Sequence, residues 1–198
     1  TRMDDPIGDA VGNAVEIAES VDVLRGGGPA DTRALTVALG AEMLALAGVV
    51  ADRDAGAARI ERALDDGSAL DLFRRMVEAQ GGDPRVADAP AEVLPRARHR
   101  VPVPAPRAGY VTACAADEIG MAALVLGAGR RRKEDAVDPA VGVVMAVSVG
   151  DRVDAGAPLA HLLHNGTGAE EAARRVAAAC TIGDEPPGDR PLVLEVLR

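Results

Sequence analysis

The sequence predicts an α+β fold in which a helical N-terminal segment precedes a C-terminal domain of mixed helices and strands. Three observations support this prediction. Apolar residues recur at helical spacing through residue 82. Six prolines then punctuate residues 84–107, and proline disfavours helix. From residue 107 onward the apolar runs are short, and several are rich in β-branched residues, which favour strands. The predicted organisation is a helical segment at 1–83, a proline-rich linker at 84–107 and an α+β domain at 108–198.

Four helices are expected in the first segment. In the first helix, apolar residues at Val15, Ala18, Val21 and Leu24 share one face, and the glycines at 26–28 end it. Asp31 is the predicted N-cap of the second helix, whose apolar residues share one face. Those residues are Leu35, Leu39, Met43 and Leu46.

The next two helices are predicted from caps and apolar spacing. Asp54 is expected to cap the third helix, which runs through Ile60 and Leu64. Ser68 and Asp71 have the spacing of a capping box, which predicts the start of the fourth helix.

The C-terminal domain is expected to contain four strands and two helices. Strands are predicted at residues 109–113, 141–149, 158–164 and 192–197, and helices at 117–126 and 170–179. No βαβ repeat is evident, so strand pairing is expected to be local.

Composition excludes several classes of function. The chain has 198 residues and a net charge of −9, which disfavours nucleic acid as a partner because phosphate backbones are bound by Lys and Arg clusters. No apolar run is long enough to span a bilayer. Cys114 and Cys180 are the only cysteines, which indicates a reducing compartment and buried thiols. We therefore expect a cytoplasmic, soluble protein without a membrane or nucleic-acid partner.

The sequence contains a single lysine, Lys133. A mechanism that needs a lysine from this sequence, for a Schiff base, a phosphate loop or a carried cofactor, can use only Lys133. No serine lies in a nucleophile-elbow sequence either, so acyl transfer has no support.

Several motifs in collinear order identify a family. The run DDPIGDAVGNAVEIAESVDVLRGGGPADTRALTVALGAEML at residues 4–44 combines a Pro-Ile-Gly turn, Gly12-Asn13, a glycine triplet and two helices. Further runs are DGSALDLFRRMVEAQGGDPRV at 66–86, LGAGRRRKEDAVDPAVGV at 126–143 and GDRVDAGAPLAHLLHN at 150–165. Together they closely resemble the C-terminal portion of the thymidine and pyrimidine-nucleoside phosphorylase family. The resemblance covers essentially the whole chain.

The resemblance implies an activity for the intact protein. Family members convert a pyrimidine nucleoside and inorganic phosphate into free base and pentose 1-phosphate, as cytoplasmic homodimers in nucleoside salvage. Their phosphate loop, rich in glycine with Lys, Ser and Thr, and their base-binding residues lie in the preceding half of the protein. No such loop is found in this sequence. We therefore expect a C-terminal fragment that carries no catalytic residue and is inactive alone. The intact protein is expected to be a homodimer, and the oligomeric state of the fragment is left open.

The resemblance also implies a site for a monovalent cation, K⁺. By position, the ligands from this chain are the main-chain oxygens of Ile7 and Ala10 and the carboxylate of Glu19. Oxygen ligands suit a hard cation. The alternative is that Glu16 and Glu19 lie on a solvated helix face.

Two other constellations are interpreted as structural. Gly127 and Gly129 precede a basic run at residues 130–133, but acidic residues follow at once, which favours a solvated loop over a phosphate site. His161 and His164 lie three apart in a predicted strand, where they point to opposite faces, which disfavours a zinc site.

A second hypothesis is a non-catalytic binding or carrier module. The run at 150–165 is similar to hairpins of biotinyl and lipoyl carrier domains, which have a barrel-sandwich, or hammerhead-like, fold. A carrier requires a lysine on an exposed turn, and none is available there. We therefore expect a shared barrel-sandwich hairpin in the C-terminal domain, without shared chemistry.

Overall fold

The computed structural model describes residues 1–197. The chain forms two compact units, and the first 16 residues belong to the same unit as the chain from Pro95 onward. The other unit consists of residues 17–94. The predicted borders at 83/84 and 107/108 follow changes in composition, whereas the compact units follow packing. The α+β class predicted from the sequence is confirmed.

The unit at residues 17–94 is helical. Its elements are most of α1 (Ala14–Leu24), then α2 (Ala30–Leu46), α3 (Arg53–Asp65), α4 (Ser68–Ala79), a 3-10 turn (Pro84–Ala87) and α5 (Pro90–Val93). The four predicted helices are confirmed. The core of this unit is built from small and aliphatic side chains, among them Val21, Val23, Leu64, Val86 and Ala87.

The predicted cap of the third helix is wrong by two residues. The N-cap is Asp52, whose extended backbone lets its carboxylate accept a hydrogen bond from the amide of Ala55. Asp54 lies inside the first turn. Both aspartates precede the same apolar run, so the sequence did not separate them.

The other two predicted caps are also wrong. Helix α2 follows Pro29 and α4 follows Gly67, and neither has a side-chain cap. Asp31 accepts a hydrogen bond from the amide of its neighbour Thr32. Proline before the first turn and a left-handed glycine start these two helices without a capping hydroxyl.

Most of the apolar face predicted for α2 is exposed, whereas Leu35 is half-buried. Met43 and Leu46 have exposed fractions of 69% and 86%, and Leu39 is also exposed. In the same unit, Leu72 and Met76 of α4 are exposed as well. These five residues form what we call the exposed apolar set. Exposed apolar side chains that form one patch are typical of surfaces that contact another part of a protein.

Within residues 1–197 the unit that carries the sheets contains seven strands and two long helices. They are β1 (Ala10–Gly12), β2 (His99–Pro104), β3 (Gly109–Cys114), α6 (Ala116–Leu126), β4 (Gly142–Met145), β5 (Arg152–Val153), β6 (Pro158–His164), α7 (Ala169–Ala179) and β7 (Cys180–Gly183). The strands form two open sheets, ordered β1-β4-β6-β2 and β5-β3-β7. Every strand pair within residues 1–197 is antiparallel, as local pairing predicts.

The core of this unit lies between the sheets and the two helices. Ile119 of α6 and Val176 of α7 are fully buried, and so are Leu159 and Leu162 of β6. Arg175 of α7 forms an ion pair with Glu118 of α6 at 2.7 Å. A core of Ala, Val and Leu brings helix and sheet close together because no large ring has to be accommodated.

The predicted hairpin at residues 150–165 is wrong. Strand β5 pairs with β3, whereas β6 pairs with β2 and β4, so the two strands lie in different sheets. Within the described residues neither sheet closes into a barrel. The chain at residues 150–165 therefore passes from one sheet to the other.

The strand predicted at residues 192–197 is also wrong. No strand is assigned after β7 in the described part of the chain. Near residue 192 the amide of Arg2 donates a hydrogen bond to the carbonyl of Leu192 at 2.9 Å. Conversely, β1 was not predicted, because its three residues carry no alternating pattern.

Candidate functional site

The turn at residues 6–13 carries two of the three predicted cation ligands. The amide of Met145 donates to the carbonyl of Asp9 at 2.7 Å, and Ala10 is the register partner of Val144. Ala10 therefore occupies a non-hydrogen-bonded position, where its own carbonyl points away from β4. Because β1 is an edge strand, that carbonyl is directed to the outside of the sheet. This direction fits the role of a main-chain ligand.

The third predicted ligand lies in the other unit. Ile7, half-buried, and Ala10 belong to the unit that carries the sheets, while half-buried Glu19 belongs to the helical unit. The three donors are all oxygens, which fits a hard monovalent cation. Within residues 1–197 no cluster of three or more His, Cys, Asp or Glu side chains is arranged to bind a metal ion.

Two hydrogen bonds attach the turn to the loop between α6 and β4. The side-chain amide of Asn13 donates to the carbonyl of Ala128 at 2.7 Å. The amide of Ala14, the first residue of α1, donates to the carbonyl of Pro139 at 3.0 Å. In the sequence, Asn13 is recognisable only as part of the Gly12-Asn13 motif. Its role could not be seen because its partner is 115 positions away.

Glu16 has a structural role that the sequence did not reveal. Its carboxylate accepts a hydrogen bond from the amide of Gly12 at 2.7 Å. A glutamate in the first helical turn that binds back to the preceding backbone is related to the capping box. Glu16 is exposed, so it lies on a solvated face as the alternative interpretation expects, and it makes this contact in addition.

Two glycines allow β1 to approach β4 closely. Gly12 and Gly142 are register partners. A Cβ atom on Gly12 would lie 2.8 Å from the carbonyl oxygen of Val141, and one on Gly142 would lie 2.6 Å from that of Val11. Neither position accepts a side chain without moving β1, so this pair fixes where the turn lies on the sheet.

The basic loop at residues 130–133 is occupied by an internal carboxylate. The carboxylate of Asp135 accepts hydrogen bonds from the amides of Arg131 and Arg132 at 3.0 and 2.9 Å. An anion such as phosphate would have to displace Asp135 from these amides. The geometry therefore agrees with the loop interpretation.

Asp138 organises the end of the same loop. Its carboxylate accepts from the side-chain amide of Asn165 at 2.6 Å and from the amide of Ala140 at 3.0 Å. The side-chain oxygen of Asn165 in turn accepts from the amide of Arg98 at 2.8 Å. Three separate segments of the unit meet at this pair.

A cavity of about 520 Å³ lies in the sheet-carrying unit. At its wall, Asp5 is 7% exposed and lies between two arginines. Nη1 of Arg190 is 2.7 Å from Oδ2 of Asp5, and Nε of Arg2 is 3.1 Å from the same oxygen. The remaining lining residues are Met3, Asp4, Ala113, Cys114, Ala115, Asp117, Ala178, Ala179 and Thr181. Sequence reasoning missed this cluster because its members come from both ends of the chain.

The two histidines of β6 are separated, as their spacing predicted. His164 stacks on His99 of β2 with ring centroids 5.0 Å apart. His161 is the register partner of Pro102 and Val144. Burial, with a smaller contribution from the charge of Arg100, lowers the pKa of His161 below its usual range.

The carrier hypothesis has no support in the geometry. Its hairpin is replaced by two strands in different sheets. The only lysine, Lys133, lies in the loop between α6 and β4 and not on a turn between β5 and β6.

Among residues 1–197 no helix has the length and the apolar character needed to cross a membrane.

Comparisons with known proteins agree with the sequence motifs. Residues 110–183 match the family model described as the pyrimidine nucleoside phosphorylase C-terminal domain. Over 174 residues the chain is 42% identical to the pyrimidine-nucleoside phosphorylase of Bacillus subtilis (strain 168), which covers 88% of this chain and 40% of that relative. Over 182 residues it is 38% identical to the protein of the same name from Staphylococcus aureus (strain bovine RF122 / ET3-1). This match covers 92% of this chain and 42% of that relative. The chain thus spans about two fifths of the length of these relatives and corresponds to their C-terminal portion.

Proposed function

We infer that this chain, which carries the C-terminal domain of the pyrimidine nucleoside phosphorylase family at residues 110–183, is the C-terminal portion of a phosphorylase of that family. The observation that carries the inference is the match of 42% identity across 174 residues, which includes both compact units. The intact protein would act as a pentosyltransferase. It would convert a pyrimidine nucleoside, thymidine or uridine, and phosphate into free base and pentose 1-phosphate.

We place nucleoside and phosphate binding outside this chain. Phosphorolysis requires donors directed at a phosphate dianion and at the base as negative charge develops on it. The basic loop of this chain already donates its amides to Asp135. The chain alone should therefore lack turnover.

The role proposed for the helical unit is to support the rest of the intact protein. Its exposed apolar set lies on α2 and α4. In the intact enzyme these side chains would be covered by the preceding portion of the chain. Burying several large apolar side chains would contribute about 1.5–3 kcal/mol each.

The cation site remains part of the proposal. Ile7, Ala10 and Glu19 would hold K⁺ together with ligands from the preceding portion. The outward carbonyl of Ala10 and the all-oxygen donor set support it. Bound there, the ion would fix the position of the turn through electrostatic attraction to oxygen atoms. A cytoplasmic homodimer in nucleoside salvage is the proposed setting, and the two free, buried thiols favour a reducing compartment.

A chimera tests the proposed function. The segment of the Bacillus subtilis relative that precedes the match would be fused to residues 1–198, and uridine and thymidine phosphorolysis would be measured. Phosphate-dependent release of free base is expected from the chimera, but not from either part alone. If circular dichroism shows that the chimera is folded and it still has no turnover, the proposal is contradicted. Turnover by residues 1–198 alone would also contradict it, because it would place catalytic groups in this chain.

A further inference from the structure

Cys114 and Cys180 are directly opposed on neighbouring strands. Cys114 ends β3, Cys180 begins β7, and the two residues are register partners. The amide of Ala115 donates to the carbonyl of Ala179 at 3.0 Å. This bond flanks the cysteine pair, so the pair occupies a non-hydrogen-bonded position of the ladder. In such positions the Cα atoms lie about 4.5 Å apart and the side chains are closest.

This position suits a disulfide. Disulfides join Cα atoms about 4.4–6.8 Å apart, a range that includes the spacing of non-hydrogen-bonded strand pairs. In the structure both cysteines are free and buried, with their sulfur atoms 3.5 Å apart. A bond can therefore form by rotation of the side chains, without separating the strands.

The cavity of about 520 Å³ gives small molecules access to the pair. Cys114 lines this cavity together with Asp5, Asp117 and Arg190, and the sulfur of Cys180 lies directly beside that of Cys114. The lining is polar enough to admit water and small polar solutes. A small oxidant would therefore meet a thiol pair.

The contact between the sulfurs also shifts the pKa values of the two thiols in opposite directions. A hydrogen bond from the Cys114 thiol lowers the pKa of Cys180. The same contact, together with burial, raises the pKa of Cys114. The contact thus favours a thiolate at one sulfur of the pair, and a thiolate is the nucleophilic form of cysteine.

We propose that Cys114 and Cys180 are an oxidation site, at which a small peroxide entering through the cavity converts the thiol pair into an intramolecular disulfide. One sulfur attacks a peroxide oxygen, the O–O bond breaks, and a sulfenic acid and one water are formed. The second sulfur then attacks the sulfenic sulfur, and a second water leaves as the S–S bond forms. Two thiols are oxidised, and one hydrogen peroxide is reduced to two waters.

The disulfide would stabilise the sheet-carrying unit. It would link positions 66 residues apart and restrict the unfolded chain. For a chain of this size we expect the melting temperature to rise by about 5–10 °C. A thiol reductant should reverse the rise.

The test uses residues 1–198 as they are, treated with a slight excess of hydrogen peroxide and then with catalase. Expected results are loss of both titratable thiols, a mass lower by two hydrogens, a monomer on non-reducing gels and the rise in melting temperature. Non-reducing peptide maps should show one peptide pair joined through Cys114 and Cys180. A mass increased by oxygen atoms, a disulfide-linked dimer or unreacted thiols would each overturn the proposal.

The matched variants are Cys114→Ala and Cys180→Ala. Each keeps one thiol in the same surroundings, so peroxide should leave the melting temperature unchanged or lower it. An equal rise in a single-cysteine variant would show that the stabilisation does not come from the disulfide. If a variant does not fold, the peptide map of the unaltered chain still decides the question. None of these outcomes depends on the proposed phosphorolysis.

Discussion

Asp5 and Arg190 are 185 positions apart in the sequence, yet Nη1 of Arg190 donates to Oδ1 of Asp5 at 2.9 Å and lies 2.7 Å from Oδ2. Nε of Arg2 lies 3.1 Å from Oδ2 of the same carboxylate. A buried carboxylate between two guanidinium groups connects the start of the chain to the segment that follows β7. Residues 1–16 belong to the sheet-carrying unit, to which β1 also connects them by pairing with β4.

Asp5→Asn should destabilise this unit by about 1–3 kcal/mol, because both arginines lose their charged partner in a mostly buried position. Asp4→Asn is the matched control, since Asp4 is exposed and adjacent in sequence. Urea unfolding measures both. Equal midpoints for the two variants would contradict the role given to Asp5.

The pair Asp138–Asn165 should show strong energetic coupling. A double-mutant cycle with Asp138→Ala and Asn165→Ala is expected to give a coupling energy of about 1–2 kcal/mol. The two side chains bind each other, and each also accepts a hydrogen bond from a backbone amide, so the loss of one side chain should weaken the contacts of the other. The comparison pair is Arg107 and Asp184, with side-chain exposures of 48% and 89%. Its coupling should be near zero, because exposed ion pairs contribute little. Additive effects at Asp138 and Asn165 would show that the network is not a unit.

Protonation of His161 should destabilise the fold. Because its pKa is lowered in the folded state, the unfolded chain binds more protons near and below the ordinary histidine pKa. Stability contributed by neutral His161 is present above that pKa and is lost as pH falls through it. We expect the stability of the unaltered chain relative to His161→Leu to decrease between pH 7.5 and pH 5. Thermal unfolding of both proteins across this pH range measures the difference in stability. A difference that does not change with pH would refute the role given to His161.

Gly56→Ala should destabilise the helical unit. A Cβ atom there would lie 2.7 Å from the carbonyl oxygen of Ala41, so α2 and α3 would have to separate. The expected cost is about 1–3 kcal/mol. Gly120→Ala, in the middle of α6, meets nothing within 4 Å and should stabilise its helix by about 0.5–1 kcal/mol. Hydrogen exchange distinguishes the units: protection should fall in α2 and α3 for Gly56→Ala, and a uniform loss over both units would contradict the packing argument.

Local signals predicted the elements well. Helices α1 to α4, α6 and α7 and strands β3 and β6 follow from apolar spacing, because each buries one face or a continuous run. Caps were less predictable, since Asp52 and Asp54 precede the same helix and differ only in backbone conformation. The predicted strand at 192–197 failed because β-branched residues favour a strand only where a partner strand is available.

Contacts between distant segments could not be predicted. Asn13 with Ala128, Asp138 with Asn165 and Cys114 with Cys180 each join residues far apart in sequence. A single sequence gives no register between strands, so the pairing of β3 with β7 was not accessible. The division of β5 and β6 between two sheets was hidden for the same reason.

We propose that this chain is the C-terminal portion of a pyrimidine-nucleoside phosphorylase. The most direct measurement is an assay of the full-length protein that contains residues 1–198, with uridine and thymidine as substrates, with and without inorganic phosphate. We expect free base and pentose 1-phosphate to appear together and only when phosphate is present. Base release independent of phosphate, or no release by a correctly folded full-length protein, would contradict it.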